Sequence, residues 1–118
     1  MKPDIPGNEK ILQMITGFWA SKILTVATEL GLFDLLSKKG LEIHDIAEGL
    51  SIQRRPANII SNACVALGLL KKERRYYFNT DIAGIYLVKG KRGYLGRFVC
   101  MLGNSHYLRW GGGVKMLF

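Results

Sequence analysis

Apolar positions recur at helical spacing from the start of the chain, and the first repeat is the widest. Asn8 is a candidate N-cap, and Glu9 behind it suits the positive end of a helix predicted to run to Leu30. Its apolar residues include Ile11, Leu12, Met14, Ile15, Phe18, Trp19, Ile23, Leu24, Val26, Ala27 and Leu30. They leave only a narrow polar stripe around Ser21, Lys22, Thr25, Thr28 and Glu29. A surface helix of a monomer buries an arc of roughly 100° or somewhat more, so an arc this wide implies a core on one side and a partner on the other. Ile11, Ile15, Phe18 and Ile23 are therefore read as dimer-interface residues. Gly31 ends the helix, and Leu32–Leu36 forms a short second one closed by Lys38-Lys39-Gly40, with Gly40 expected as a left-handed C-cap.

The stretch from Leu41 to Val88 has the pattern of a winged helix-turn-helix. A short helix, Ile43–Leu50, precedes a turn at Ser51-Ile52, and a longer helix runs from Arg54 to Leu67 and stops at Gly68. Ile60, Ala63, Cys64 and Leu67 mark its core face, with Gln53, Arg54, Asn58, Ser61 and Asn62 on the polar side. Pro56 falls in the first turn, where its missing N–H costs nothing. Leu69–Lys72, a charged turn at Glu73-Arg74-Arg75 and Tyr76–Asn79 form a β-hairpin wing. A helix from Thr80-Asp81 to Val88, a basic glycine-broken linker (Lys89–Gly93) and a helix from Tyr94 to Leu102 follow. After a break at Gly103-Asn104, Ser105 caps a last helix holding His106, Tyr107, Leu108 and Trp110. The fold class is thus mostly α with one small hairpin: a winged unit at 41–88 within a domain spanning 8–118, flanked by N- and C-terminal dimerisation helices and preceded by a flexible arm at 1–7.

Charge is divided unevenly. Residues 1–50 carry five Lys/Arg against seven Asp/Glu, a net of −2, whereas residues 51–118 carry 12 against two, a net of +10. A basic half attracts nucleic acid or meets an acidic neighbouring domain. Arg54, Arg55, Asn58 and Asn62 on the outer side of the longer helix, with Arg74 and Arg75 on the wing, could contact base edges and phosphates as a DNA-binding regulator does. The packing reading is preferred, with nucleic acid as the alternative.

Little else in the sequence carries chemistry. At 118 residues the chain is one domain, short for a self-contained enzyme. No uninterrupted apolar run approaches the ~20 residues of a membrane span, and residues 1–7 lack a signal-peptide centre. Cys64 and Cys100 read as buried free thiols of a cytoplasmic protein, without metal spacing. The two histidines, His44 and His106, form no triad or metal set, so no catalytic residue is assigned. Gly111-Gly112-Gly113 follows no apolar strand and has no room for a βαβ unit after it, which argues against a cofactor loop. The apolar ending Val114–Phe118 reads as a cut through something that continues, as a truncated chain or a free-standing accessory subunit would show.

Several runs resemble one family. These are Phe18-Trp19-Ala20-Ser21-Lys22-Ile23-Leu24, Ala27-Thr28-Glu29-Leu30-Gly31-Leu32-Phe33-Asp34-Leu35-Leu36 and Ala63-Cys64-Val65-Ala66-Leu67-Gly68-Leu69-Leu70, with Tyr77-Phe78-Asn79-Thr80 and Tyr86-Leu87-Val88. In order and spacing they are similar to the N-terminal domain of S-adenosylmethionine-dependent O-methyltransferases of the caffeate, acetylserotonin and bacterial polyketide type, from about residue 8 to residue 110. The resemblance implies a homodimerisation domain that swaps helices with a second subunit and helps roof the pocket of a small aromatic or polyketide-like substrate. Phe18, Trp19, Met101 and Tyr107 would line that pocket. It further implies that S-adenosylmethionine belongs to the full enzyme, held by a catalytic Rossmann-like domain absent here, so that this chain binds no cofactor and is silent alone. Three consecutive glycines at 111–113, each costing a helix about 1 kcal/mol, depart from the family.

Overall fold

The computed structural model describes residues 7–103. Its elements are α1 (Glu9–Leu30), α2 (Leu32–Leu35), α3 (Ile43–Leu50), α4 (Arg54–Ala66), β1 (Leu70–Glu73), β2 (Tyr76–Asn79), α5 (Asp81–Tyr86) and α6 (Gly96–Gly103). The winged unit and both helices before it match the expected order, with bounds shifted by a residue or two. Most of the arm at 1–7, the last helix with His106 and Tyr107, and the run Gly111–Gly113 lie outside the described residues.

Local geometry explains where the elements stop. Gly31 adopts φ 87°, the left-handed conformation that lets its N–H return to the carbonyl of Thr28 at 3.1 Å. Asn8 holds the N-cap position of α1, but its side chain makes no capping bond; only its carbonyl serves, accepting from Leu12 N–H at 2.9 Å. Gly40 is not a left-handed cap. Its role is steric, since the Phe78 ring lies where a β-carbon would project. The wing pairs Leu70 with Asn79 through to Glu73 with Tyr76, so Arg74-Arg75 is a two-residue turn with Arg74 at φ 61°. Leu41 extends this hairpin: it exchanges two backbone bonds with Tyr77, at 2.8 and 3.1 Å.

The core gathers Ile23, Val26 and Ala27 of α1, Leu32, Phe33 and Leu36 around α2, Ile46 and Ala47 of α3, and Ala57, Ile60, Ala63 and Cys64 of α4. Leu70 and Tyr77 of the wing close it, with Ala83, Leu87 and Val88 behind. Ser61, expected on the polar side of α4, is buried at 1% exposure. Helix α4 packs against α1, α3 and β1 at once, and three neighbours bury a wider face than one apolar stripe. The Ser61 hydroxyl has no hydrogen-bond partner. An unmet buried hydroxyl costs about 1–3 kcal/mol, so Ser61→Ala is expected to leave the urea midpoint unchanged or raise it. A lowered midpoint would show that the hydroxyl is bonded in solution.

Helix α1 differs from its expected pattern in one informative way. Burial is divided along the helix, not around it. All residues from Glu9 to Trp19 are exposed, whereas Lys22, Ile23, Thr25, Val26 and Ala27 are all buried, two of the supposed polar stripe among them. Thr25 meets its burial by donating to the carbonyl of Ser21 at 2.8 Å. Over 22 residues α1 is also long and apolar enough to cross a membrane by length and composition, which a count of uninterrupted runs does not detect. Its C-terminal part is built into the domain core.

Candidate functional site

Among the described residues the exposed half of α1 carries six of the fifteen exposed large apolar side chains. Ile11 is 58% exposed, Ile15 57%, and Phe18 and Trp19 43% each, with Leu12 and Met14 beside them. Helix α6 packs along α1 and adds exposed Phe98, Met101 and Leu102. The structure therefore brings Ile11, Ile15, Phe18, Trp19 and Met101 onto two packed helices. Ile23 does not join them: at 3% exposure it points into the protomer's own core and is withdrawn as an interface residue. The ammonium of Lys22 lies 5.0 Å from the centroid of the Phe18 ring, where α1 passes from exposed to buried. The sequence reading of the site missed Phe98 of α6 and the exposed Ile82, Ile85 and Tyr86 of α5. Their apolar spacing was visible, but on helices this short it does not tell a core face from a surface one.

The polar side chains of α4 face the wing. Tyr77 Oη donates to Asn62 Oδ1 at 2.8 Å, and Asn62 Nδ2 donates to Asn58 Oδ1 at 2.8 Å. Arg75 approaches Glu42 at 4.0 Å, and the Lys72 ammonium sits 5.1 Å over the Tyr77 ring. Of the two asparagines expected as base readers, Asn62 thus bonds the wing, while Asn58 bonds Asn62 one turn away on α4; both stay exposed. Arg54, Arg55 and Arg74 remain exposed. Glu42 lies in the same groove as Arg54 and Arg75, where a phosphate would meet a carboxylate. On α3, ligand atoms of His44, Asp45 and Glu48 lie within 4.8 Å of one another, a cluster formed by helical pitch, and all three residues are exposed.

Both thiols are free, but their settings differ. Cys100 is half-buried, not buried as expected; partial burial and the charge of Glu29 push its thiol up, while Lys89 pulls it down. Burial pushes the Cys64 thiol up from 9.0 to about 12. Between those values the folded state keeps a proton that the unfolded chain loses, so stability falls as pH rises through that window. The slope from this one group is about 1.4 kcal/mol per pH unit. Urea unfolding at pH about 8 and about 10 should show a steeper loss in the parent chain than in Cys64→Ala; equal losses would count against a thiol held protonated by burial.

Among the described residues the hairpin is the one sheet, and no strand leads into a glycine-rich loop and helix. The chain is 40% identical over 92 residues to a 3-hydroxy-5-methyl-1-naphthoate 3-O-methyltransferase of Streptomyces sahachiroi, covering 78% of this chain and 27% of that protein. It is 36% identical over 102 residues to the N,N-dimethyltransferase OxyT of Streptomyces rimosus, covering 86% and 30%. The crystal structure of human N-acetylserotonin methyltransferase in complex with SAM superposes with a TM-score of 0.80 at 29% identity, covering 94% of this chain and 34% of that one. The chain thus spans about a third or less of the length of these relatives. None of these similarities supports the nucleic-acid alternative. Residues 12–89 match the O-methyltransferase dimerisation domain, and the chain belongs to that family.

Proposed function

We propose that this chain joins two copies of a methyltransferase and roofs the substrate pocket, while the chemistry is carried out by a catalytic domain that the chain does not contain. The observation that carries this reading is the exposed apolar half of α1, on which no residue from Glu9 to Trp19 is buried. A protomer left in water with that surface would hold a patch of the kind that marks an interface. A second copy covers it most simply, because an isologous contact needs only one patch to complement itself. Phe18, Trp19 and Met101 are proposed to reach the pocket from this side; Tyr107, proposed with them, lies outside the described residues.

The methyl donor of the full enzyme is S-adenosylmethionine, and the acceptor is a hydroxyl of a small aromatic or polyketide-like molecule. The naphthoate O-methyltransferase relative supports that acceptor. The OxyT relative is named as an N,N-dimethyltransferase, so a nitrogen acceptor is the alternative to a hydroxyl. Two free thiols fit a reducing cytoplasm, the proposed location. Sedimentation equilibrium at micromolar protein should give twice the chain mass, with no saturable, salt-dependent shift of duplex DNA at the same concentration. A clean monomer overturns the dimer reading, and a duplex shift abolished by Arg54→Ala with Arg75→Ala restores the regulator.

A further inference from the structure

We propose that the concavity lined by Lys89, Lys91, Tyr94 and Arg97 binds a small organic oxyanion, a carboxylate or phosphate carried on a compact body. This hollow, about 610 Å³, lies between the linker after α5 and the first turn of α6, with Cys100 also in its wall. Among the described residues three cations line it and no carboxylate does. That separates it from the wing face, where Glu42 lies in the groove with Arg54, Lys72 and Arg75. Two acids act at its edge: Asp34, whose Oδ1 accepts from the Lys89 backbone N–H, and Glu29, whose charge acts on the Cys100 thiol from α1. Lys89 acts on the same thiol with opposite sign, so its charge reaches the wall of the hollow. Cations gathered in a concave wall focus a positive potential that an anion relieves.

The wall is built, not loosely draped. Lys89 N–H donates to Asp34 Oδ1 at 2.8 Å, Tyr94 N–H to the Lys91 carbonyl at 3.1 Å, and Leu95 N–H to the Tyr86 carbonyl at 2.7 Å. Gly90 turns the linker at φ 89°, and buried Gly96 accepts the Tyr94 ring where a β-carbon would collide with it. Helix α6 begins at Gly96, so the first-turn N–H groups, which lack acceptors within the helix, add partial positive charge at the same mouth. The volume suits a ligand larger than a bare ion. A bare ion would leave most of the hollow to water, whereas small-molecule sites hold roughly 300–1,000 Å³. Tyr94 offers the body of such a molecule an aromatic wall.

The test is titration of the isotopically labelled full chain with 1-naphthoate and, separately, with inorganic phosphate, following the backbone amides of Gly90, Gly96 and Arg97. Saturable shifts are expected, tighter for the naphthoate. Lys91→Gln with Arg97→Gln should weaken binding at least about tenfold, the scale of losing charge-assisted bonds. Both side chains are exposed, so the variant should keep the parent melting curve, and its sedimentation should be unchanged, which separates this site from the dimer reading. Phosphate binding as tightly as naphthoate, with the same dependence on the two cations, assigns the oxyanion to a phosphate. Shifts that never saturate with either probe, or that survive the double substitution, overturn the proposal.

Discussion

Ile11→Asp combined with Ile15→Asp is expected to turn the proposed dimer into a monomer without unfolding the protomer. Each isoleucine is more than half exposed in the protomer, so neither substitution removes much of its own core. In a two-fold interface each counts twice, giving four side chains per dimer. Complete burial of a large aliphatic side chain contributes roughly 1.5–3 kcal/mol, and about half of that remains to be gained at each position. The total is on the order of 4 kcal/mol before the cost of desolvating the new carboxylates, or about a thousandfold in Kd. Sedimentation velocity across a concentration series measures the shift, and circular dichroism checks that the helices persist. A variant that stays dimeric with the parent Kd would place the interface away from α1, and the dimer reading built on that helix would fall.

The choice of Ile11 and Ile15, rather than Ile23, shows what the pattern of the chain could and could not give. Spacing alone put all three on one apolar arc, because periodicity reports the angle around a helix and is silent about how far along it the rest of the protein extends. The packing of α4 against the second half of α1 decides that, and it depends on residues some 35 positions away in sequence. Lys22 and Thr25 mislead for the same reason: polar identity marked a solvent stripe, yet the cation lies over Phe18 and the hydroxyl bonds back one turn. Local signals were read well where a single residue type settles the geometry. Gly31 and Gly68 both adopt the left-handed conformation at helix ends. Gly40 looked identical in sequence but is small to make room for Phe78, a contact no local rule contains. The hollow beside α6 was illegible in the same sense. Lys89, Lys91 and Arg97 read as a basic linker and a helix start, and only the fold of the linker against α6 makes them one wall.

Tyr77 is where the wing is fastened, and its two substitutions should separate ring from hydroxyl. The residue is 1% exposed, exchanges backbone bonds with Leu41, and sends its hydroxyl to Asn62. Tyr77→Ala deletes a buried ring under the hairpin, and large aromatic-to-alanine changes cost about 3–5 kcal/mol. A domain of this size is stable by roughly 5–15 kcal/mol, so the loss is about a fifth or more of the whole. Tyr77→Phe keeps the ring. The bond it gives up leaves Asn62 Oδ1 without its donor at an exposed position where water replaces it, so the cost should be about 1 kcal/mol or less. Urea unfolding monitored by circular dichroism, with m-values compared first, measures both. A phenylalanine variant as unstable as the alanine one would mean that the hydrogen-bonded chain through Asn62 and Asn58, and not the buried ring, holds the wing on α4. Equal stability of all three proteins would mean that the wing contributes nothing to the core it closes in this structure.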